Sequence, residues 1–190
     1  MEKITLDTSV LPVDHSLLKN KPVEVAIVSV TGRELKDYKK LSEELKKIES
    51  IEETLVFGES NWGQGKWAPI IYETAIIGES KVGDSLVGAE DEKSVFEKLL
   101  KIISSGSFPK LGERDNLNKG ERHQLRDAMI LEAHIRDNRD IFVTKDVKGF
   151  IGRGERKEKI RKEIEKRFEI RIMSMQEFIN YLSKLKTQKN

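Results

Sequence analysis

The chain has no cysteine in its 190 residues. Disulfides are excluded, and so is any metal site built on thiolates. An excess of charge of one sign is also missing, since 35 Lys and Arg face 33 Asp and Glu for a formal net charge of +2. No global basicity announces nucleic acid, so such binding must come from local patches. No apolar run approaches the ~20 residues a membrane-spanning helix needs. The opening Met1-Glu2-Lys3-Ile4-Thr5-Leu6-Asp7 does not have a signal peptide's pattern. No membrane partner is expected, and the cytoplasm is the expected location. Glutamine is sparse while Lys, Glu and Arg abound, a balance of the kind met in thermophile proteins.

What is present is a densely ionic surface and enough apolar residue for one core: 36% charged and 37% hydrophobic over 190 residues. A single domain is expected over 1–190. Lys3–Leu6 reads as a strand with Asp7-Thr8-Ser9 as its polar exit, and 11–20 as a short helix or irregular turn. Val23–Val30 is mostly apolar, which suits a strand buried on both faces of a parallel sheet. Thr31-Gly32-Arg33-Glu34 opens a helix whose stripe is Leu35, Tyr38, Leu41, Leu45 and Ile48. Further helices are expected near 91–105, 121–138 and 155–168, with strands at Ile141–Thr144 and Glu169–Met173. A last helix follows Ser174-Met175-Gln176-Glu177, a capping-box pattern. Strands alternating with helices imply an α/β fold, a three-layer α/β/α sandwich around a central parallel sheet.

Residues 51–90 break that alternation. Glu53–Gly63 is echoed by Glu73–Gly83, with six of eleven positions matching. Gly-rich turns between β-prone runs predict an inserted β-hairpin region. Trp62, Trp67 and Tyr72 could stack on bases, pack a small sheet or form a dimer contact.

The acids at strand ends carry the chemical interest. In open α/β sheets ligands gather at the carboxyl ends of strands, beside a reversal of strand order. Asp7 and Asp146 each lie just past a strand, Glu34 opens the helix after the second strand, and Asp127 sits in the helix before Ile141–Thr144. Each has a plainer reading. Asp7 and Asp146 suit turns or caps, Glu34 completes a Thr-x-x-Glu box, and Asp127 could pair with Arg122 or Arg126 at the surface. Glu132, Asp137 and Asp140 read as surface or turn acids. A cluster of carboxylates without His or Cys would suit Mg²⁺ or Mn²⁺, which prefer hard oxygen ligands.

The order of these pieces resembles the PIN-domain nucleases. The strand ending in Asp7-Thr8-Ser9 is similar to that family's first-acid motif, and Val25–Leu35 to its second strand and second-acid helix. Asp127-Ala128 with Ala133 resembles the third-acid helix, and Phe142-Val143-Thr144-Lys145-Asp146 the strand and Thr-x-Asp motif of the fourth. The closing Ile172–Phe178 is similar to the family's terminal strand and helix. The resemblance implies a Mg²⁺- or Mn²⁺-dependent endoribonuclease. Asp7, Glu34, Asp127 and Asp146 would be its catalytic and metal-holding acids, with Ser9 and Thr144 as supporting hydroxyls. Beside this resemblance, the basic residues on or after the acid-bearing segments, Arg126, Lys145, Lys148, Arg153 and Arg156, could position a nucleic acid, RNA before DNA, and Gly149, Gly152 and Gly154 would let a backbone approach. The plainer reading of 155–168 is a solvated face of i,i+4 pairs, and of His123 an incidental histidine. The insertion at 51–90 has no counterpart in the family's small toxin ribonucleases. It leaves a homodimer, a regulatory protein partner and a catalytically silent PIN-like scaffold open. A phosphatase of the haloacid dehalogenase kind would need an Asp where Ser9 stands.

Overall fold

β-Branched and apolar residues form strands β1 (Glu2–Leu6) and β2 (Val23–Val28) side by side, parallel and in register from Glu2 opposite Val23 to Leu6 opposite Ile27. The computed structural model describes residues 1–11, 13–18, 21–28, 49–51, 53–55, 85–87, 90–110, 113–114, 117–146, 150 and 154–185. Among them the other strands are β3 (Glu49–Ile51), β4 (Glu53–Leu55), β5 (Ser85–Val87), β6 (Ile141–Thr144) and β7 (Arg171–Ser174). The helices are α1 (Glu90–Ile103), α2 (Lys119–Arg136), α3 (Glu155–Phe168) and α4 (Met175–Lys184). Two short 3-10 turns, Thr8–Val10 and His15–Leu17, follow β1. The expected helix after Thr31 lies outside the described residues.

Five strands form one sheet in the order β3-β2-β1-β6-β7, every neighbouring pair parallel. β1 is the central strand, and the chain reaches β2 on one side of it and β6 on the other. The crevice between the ends of β1 and β6 is therefore where strand order reverses.

Side chains alternate across the sheet and divide the core in two. Ile4, Leu6, Ile27, Ile141 and Val143 point to one face, where Val10, Val13, Phe178 and Leu182 cover them. Val28, Phe142 and Ile172 point to the other and join Phe96, Leu99, Met129, Phe150 and Ile164 of a larger cluster. α2 is buried continuously from Ala128 to His134. A helix that faced solvent on one side could not be, and α2 packs against α1, β2 and β4.

One expectation changes here, and a second falls largely outside the described residues. Glu132 is not a surface acid: it is 2% exposed, with the Arg136 guanidinium 3.3 Å away one turn along the helix. The coverage of α2 on every side explains this. A β-hairpin is expected across 51–90, and most of that span, with Trp62, Trp67 and Tyr72, lies outside the described residues. The strands at its ends, β4 and β5, pair parallel, Glu53 opposite Ser85 and Leu55 opposite Val87, so they are not the arms of a hairpin. Among the described residues no helix is long and apolar enough to cross a membrane.

Candidate functional site

Asp7 is the first residue beyond β1, yet its backbone stays in the sheet: its N–H donates to the Val143 carbonyl at 2.9 Å. That bond carries the β1–β6 ladder up to the acid and aims its side chain by strand alternation. Thr5, two residues earlier, lies opposite Phe142, on the α2 side of the sheet. Asp7 shares that side, and so does Thr144 at the end of β6.

Two hydroxyls grip the Asp7 carboxylate. Ser9 Oγ is 2.5 Å and Thr144 Oγ1 2.7 Å from the same oxygen, Oδ2. Each hydroxyl is met from behind by a backbone amide, Lys145 N–H to Ser9 Oγ at 2.8 Å and Asp146 N–H to Thr144 Oγ1 at 2.9 Å. An amide can only donate, so the hydroxyls accept from the loop and turn their single protons onto Asp7. The 3.2 Å between the two hydroxyl oxygens is then a close approach rather than a bond. In this way the loop after β6 is tied to the end of β1 through Ser9 and Thr144.

The electrostatics run against these donors. Asp7 is 8% exposed. Burial pushes its carboxyl above the ordinary carboxylate value, against the lowering pull of the Ser9 and Thr144 hydroxyls, and the charge of Asp146 pushes the same way as burial. Hydrogen bonds to a charged group are each worth about 1.5–3 kcal/mol, and here two of them do not offset desolvation. Ionising Asp7 is thus opposed by burial first and by the charge of Asp146 as well.

The other expected residues fall as follows. Asp146 follows β6, partly buried. Asp127 lies on α2, partly buried and engaged in an interaction of its own. Asn138 takes a left-handed backbone (φ 49) that helps reverse the chain between α2 and β6. α2 therefore runs back along the sheet, and Asp127, nine residues before Arg136, stands about 14 Å from that end at the helical rise. This brings it to the height of the strands' carboxyl ends. Arg126 is its partly buried neighbour, and the Lys145 side chain is exposed. Glu34, Lys148 and Arg153 lie outside the described residues. Of the remaining acids, Asp137 pairs with Arg139 at 2.8 Å and Asp140 accepts from the Lys3 amide at 2.8 Å, both at the far end of the sheet. His123 is exposed, and Arg156 turns its guanidinium to Ser105 Oγ at 3.0 Å. The structure thus brings Asp7, Ser9, Thr144 and Asp146 together. Among the described residues no three acidic or histidine side chains form a group able to hold a metal ion.

The donor set at this edge is all oxygen, which matches Mg²⁺ or Mn²⁺ in hardness. Such ions keep several waters and need only one or two carboxylates from the protein. Asp7 and Asp146 are the carboxylates here that could hold such an ion, whose charge would offset the burial that opposes ionised Asp7.

A second polar contact, which no motif in the sequence marks, lies deeper on the same face. His134 of α2, fully buried, has its Nδ1 2.9 Å from Thr5 Oγ1 and its ring edge-on to Phe142, centroids 5.8 Å apart. Burial, helped by the nearby Arg139, pushes this imidazole down to about 3. The available signal was spacing: His134 follows Asp127 by two helical turns on one face.

No family model matches the chain, and no curated protein matches its sequence. Function is therefore read from the chemistry of the site itself.

Proposed function

We propose that the protein is a Mg²⁺- or Mn²⁺-dependent nuclease with a PIN-like three-layer α/β/α sandwich, hydrolysing phosphodiester bonds in RNA. The observation that carries this reading is the buried Asp7 carboxylate at the central strand's end, clamped by two hydroxyls and pushed toward protonation by burial and by Asp146. Such an arrangement is costly as bare structure and becomes favourable around a cation.

In this reading Asp7 and Asp146 hold the ion, with Asp127 and Glu34 completing the acidic set directly or through water. Bound there, a divalent ion would activate the attacking water and stabilise the leaving oxygen. Ser9 and Thr144 fix the orientation of Asp7 so that Oδ2 stays engaged when the ion arrives. Arg126, Lys145, Lys148 and Arg153 neutralise phosphates and set the strand's path without reading its sequence. The cytoplasmic location remains part of this proposal.

A second reading is a PIN-like scaffold that binds nucleic acid or a regulatory protein without cleaving. It is favoured by the lack of a three-acid group among the described residues. Labelled RNA and single-stranded DNA, incubated with wild type, Asp7→Asn and Asp146→Asn in Mg²⁺, Mn²⁺ or EDTA, separate the two. The nuclease reading expects metal-dependent cleavage of RNA, reduced at least ~100-fold by either substitution. Cleavage that persists in EDTA, or in both variants, contradicts it. Binding without cleavage by wild type supports the scaffold.

A further inference from the structure

We infer that the buried His134–Thr5 hydrogen bond is a register pin, making His134 and Thr5 positioning residues that hold Asp127 level with Asp7 and Asp146. The inference rests on the nuclease reading and adds to it two residues that touch neither metal nor substrate.

The geometry is a matter of two periodicities measured from one fixed point. Thr5 and His134 meet at 2.9 Å in the interior, between the central strand and α2. Along β1, Asp7 is two residues beyond Thr5, about 7 Å further on the same face. Along α2, Asp127 is seven residues before His134, about 10 Å in the same direction on the same helical face. Phe142 lies opposite Thr5 in the ladder, so Asp146, four residues later, is at most about 13 Å from the pin. Asp127 therefore falls between the heights of the two strand-end acids. A slip of α2 by one turn would move it by about 5.4 Å and out of that bracket.

Just past α2, Arg139 donates to the Ile4 carbonyl at 3.3 Å and so also ties this end of the helix to β1. Leu125, Ala128, Met129 and Phe142 are apolar, and apolar packing resists sliding less sharply than a directional bond. The Thr5–His134 bond joins α2 itself, within its length, to β1. Its setting keeps it intact: the ring is fully buried, stacked edge-on against Phe142, and held neutral over the working pH range. His134 Nε2 has no hydrogen-bond partner among the described residues. An orphaned acceptor is tolerated better than an orphaned donor, which favours the tautomer in which Nδ1–H donates to Thr5.

The absence of cysteine makes a direct test simple. Spin labels on His123→Cys in α2 and Gln176→Cys in α4, both exposed positions, report how the helix sits relative to the sheet. The pin predicts one narrow distance, shifted or broadened by Thr5→Val or His134→Leu and restored by Thr5→Ser, which keeps the hydroxyl. In the unlabelled protein, Thr5→Val should weaken Mn²⁺ binding by about tenfold and lower kcat with KM for RNA unchanged, while Thr5→Ser stays near wild type. An unaltered distance in Thr5→Val, or unaltered Mn²⁺ affinity in a folded Thr5→Val protein, overturns the inference. Wild type that binds Mn²⁺ no better than Asp7→Asn overturns the nuclease reading instead, and the label distance still decides whether the pin sets the helix.

Discussion

At the residue scale, Asp7 is caught between donors that want it charged and a setting that does not. With burial outweighing the two hydroxyls, its folded-state pKa is raised. The folded protein then binds this proton more tightly than the unfolded chain, so stability is lost as pH rises from the ordinary carboxylate range through the raised value. Asp7→Asn removes the charge and keeps the shape. In EDTA at neutral pH it should raise Tm by about 2–4 °C, corresponding to roughly 1 kcal/mol for a chain of this size, while cleavage is lost. Scanning calorimetry checks this, and a lowered Tm would mean that the hydroxyl donors outweigh burial after all. His134 has the opposite sign. Its pKa is pushed down to about 3, so the unfolded chain takes up a proton that the folded ring refuses. Stability from this group is complete above the ordinary histidine value near 6.5 and is lost as pH falls toward 3. Urea unfolding at pH 7 and at pH 4 should show a smaller acid loss in His134→Gln than in wild type, by an amount on the order of a few kcal/mol.

At the scale of elements, α2 carries most of the design. Its start is set by Asn118, whose side chain accepts from the amides of Gly120 and Glu121, while Glu121 reaches back to the Asn118 amide at 2.7 Å. Asn118→Ala should cost about 1 kcal/mol in urea unfolding, and no measurable loss would mean that tertiary packing alone holds this helix end. The apolar period of α2 begins at Leu125, so periodicity alone places its start near Glu121, two residues late. The Ile141–Thr144 strand and the helix over 155–168 were legible to the residue. The strand is a short apolar run between turns, and the helix shows the i,i+4 pairing its charges imply, as in Glu158 with Lys162 at 2.6 Å. The burial of Glu132 was not legible, because it depends on how other elements pack on α2, and β2 and β4 among them are distant in sequence. The parallel β4–β5 pair was hidden for the same reason: its partners are roughly thirty residues apart. At the site, Asp7 and Asp146 could be picked out as acids one and two residues beyond strands. Thr5 could not, since a Thr inside a strand reads as β-propensity, and the one sign of His134 was its two-turn spacing from Asp127.

For the whole molecule, the parallel order β3-β2-β1-β6-β7 decides where chemistry can sit. The reversal at β1 opens one crevice, and both acids that interact across it, Asp7 and Asp146, belong to the two strands that border it. The near-balanced charge of +2 gives no long-range pull on a polyanion, so substrate affinity should depend on the basic residues beside this crevice and on the ion within it. The most direct measurement is calorimetric titration of Mn²⁺ into wild type, Asp7→Asn and Asp146→Asn. A saturable site in wild type, weakened at least ~10-fold by each substitution, is the predicted result. Equal Mn²⁺ affinity in all three proteins, or none in wild type, would contradict it.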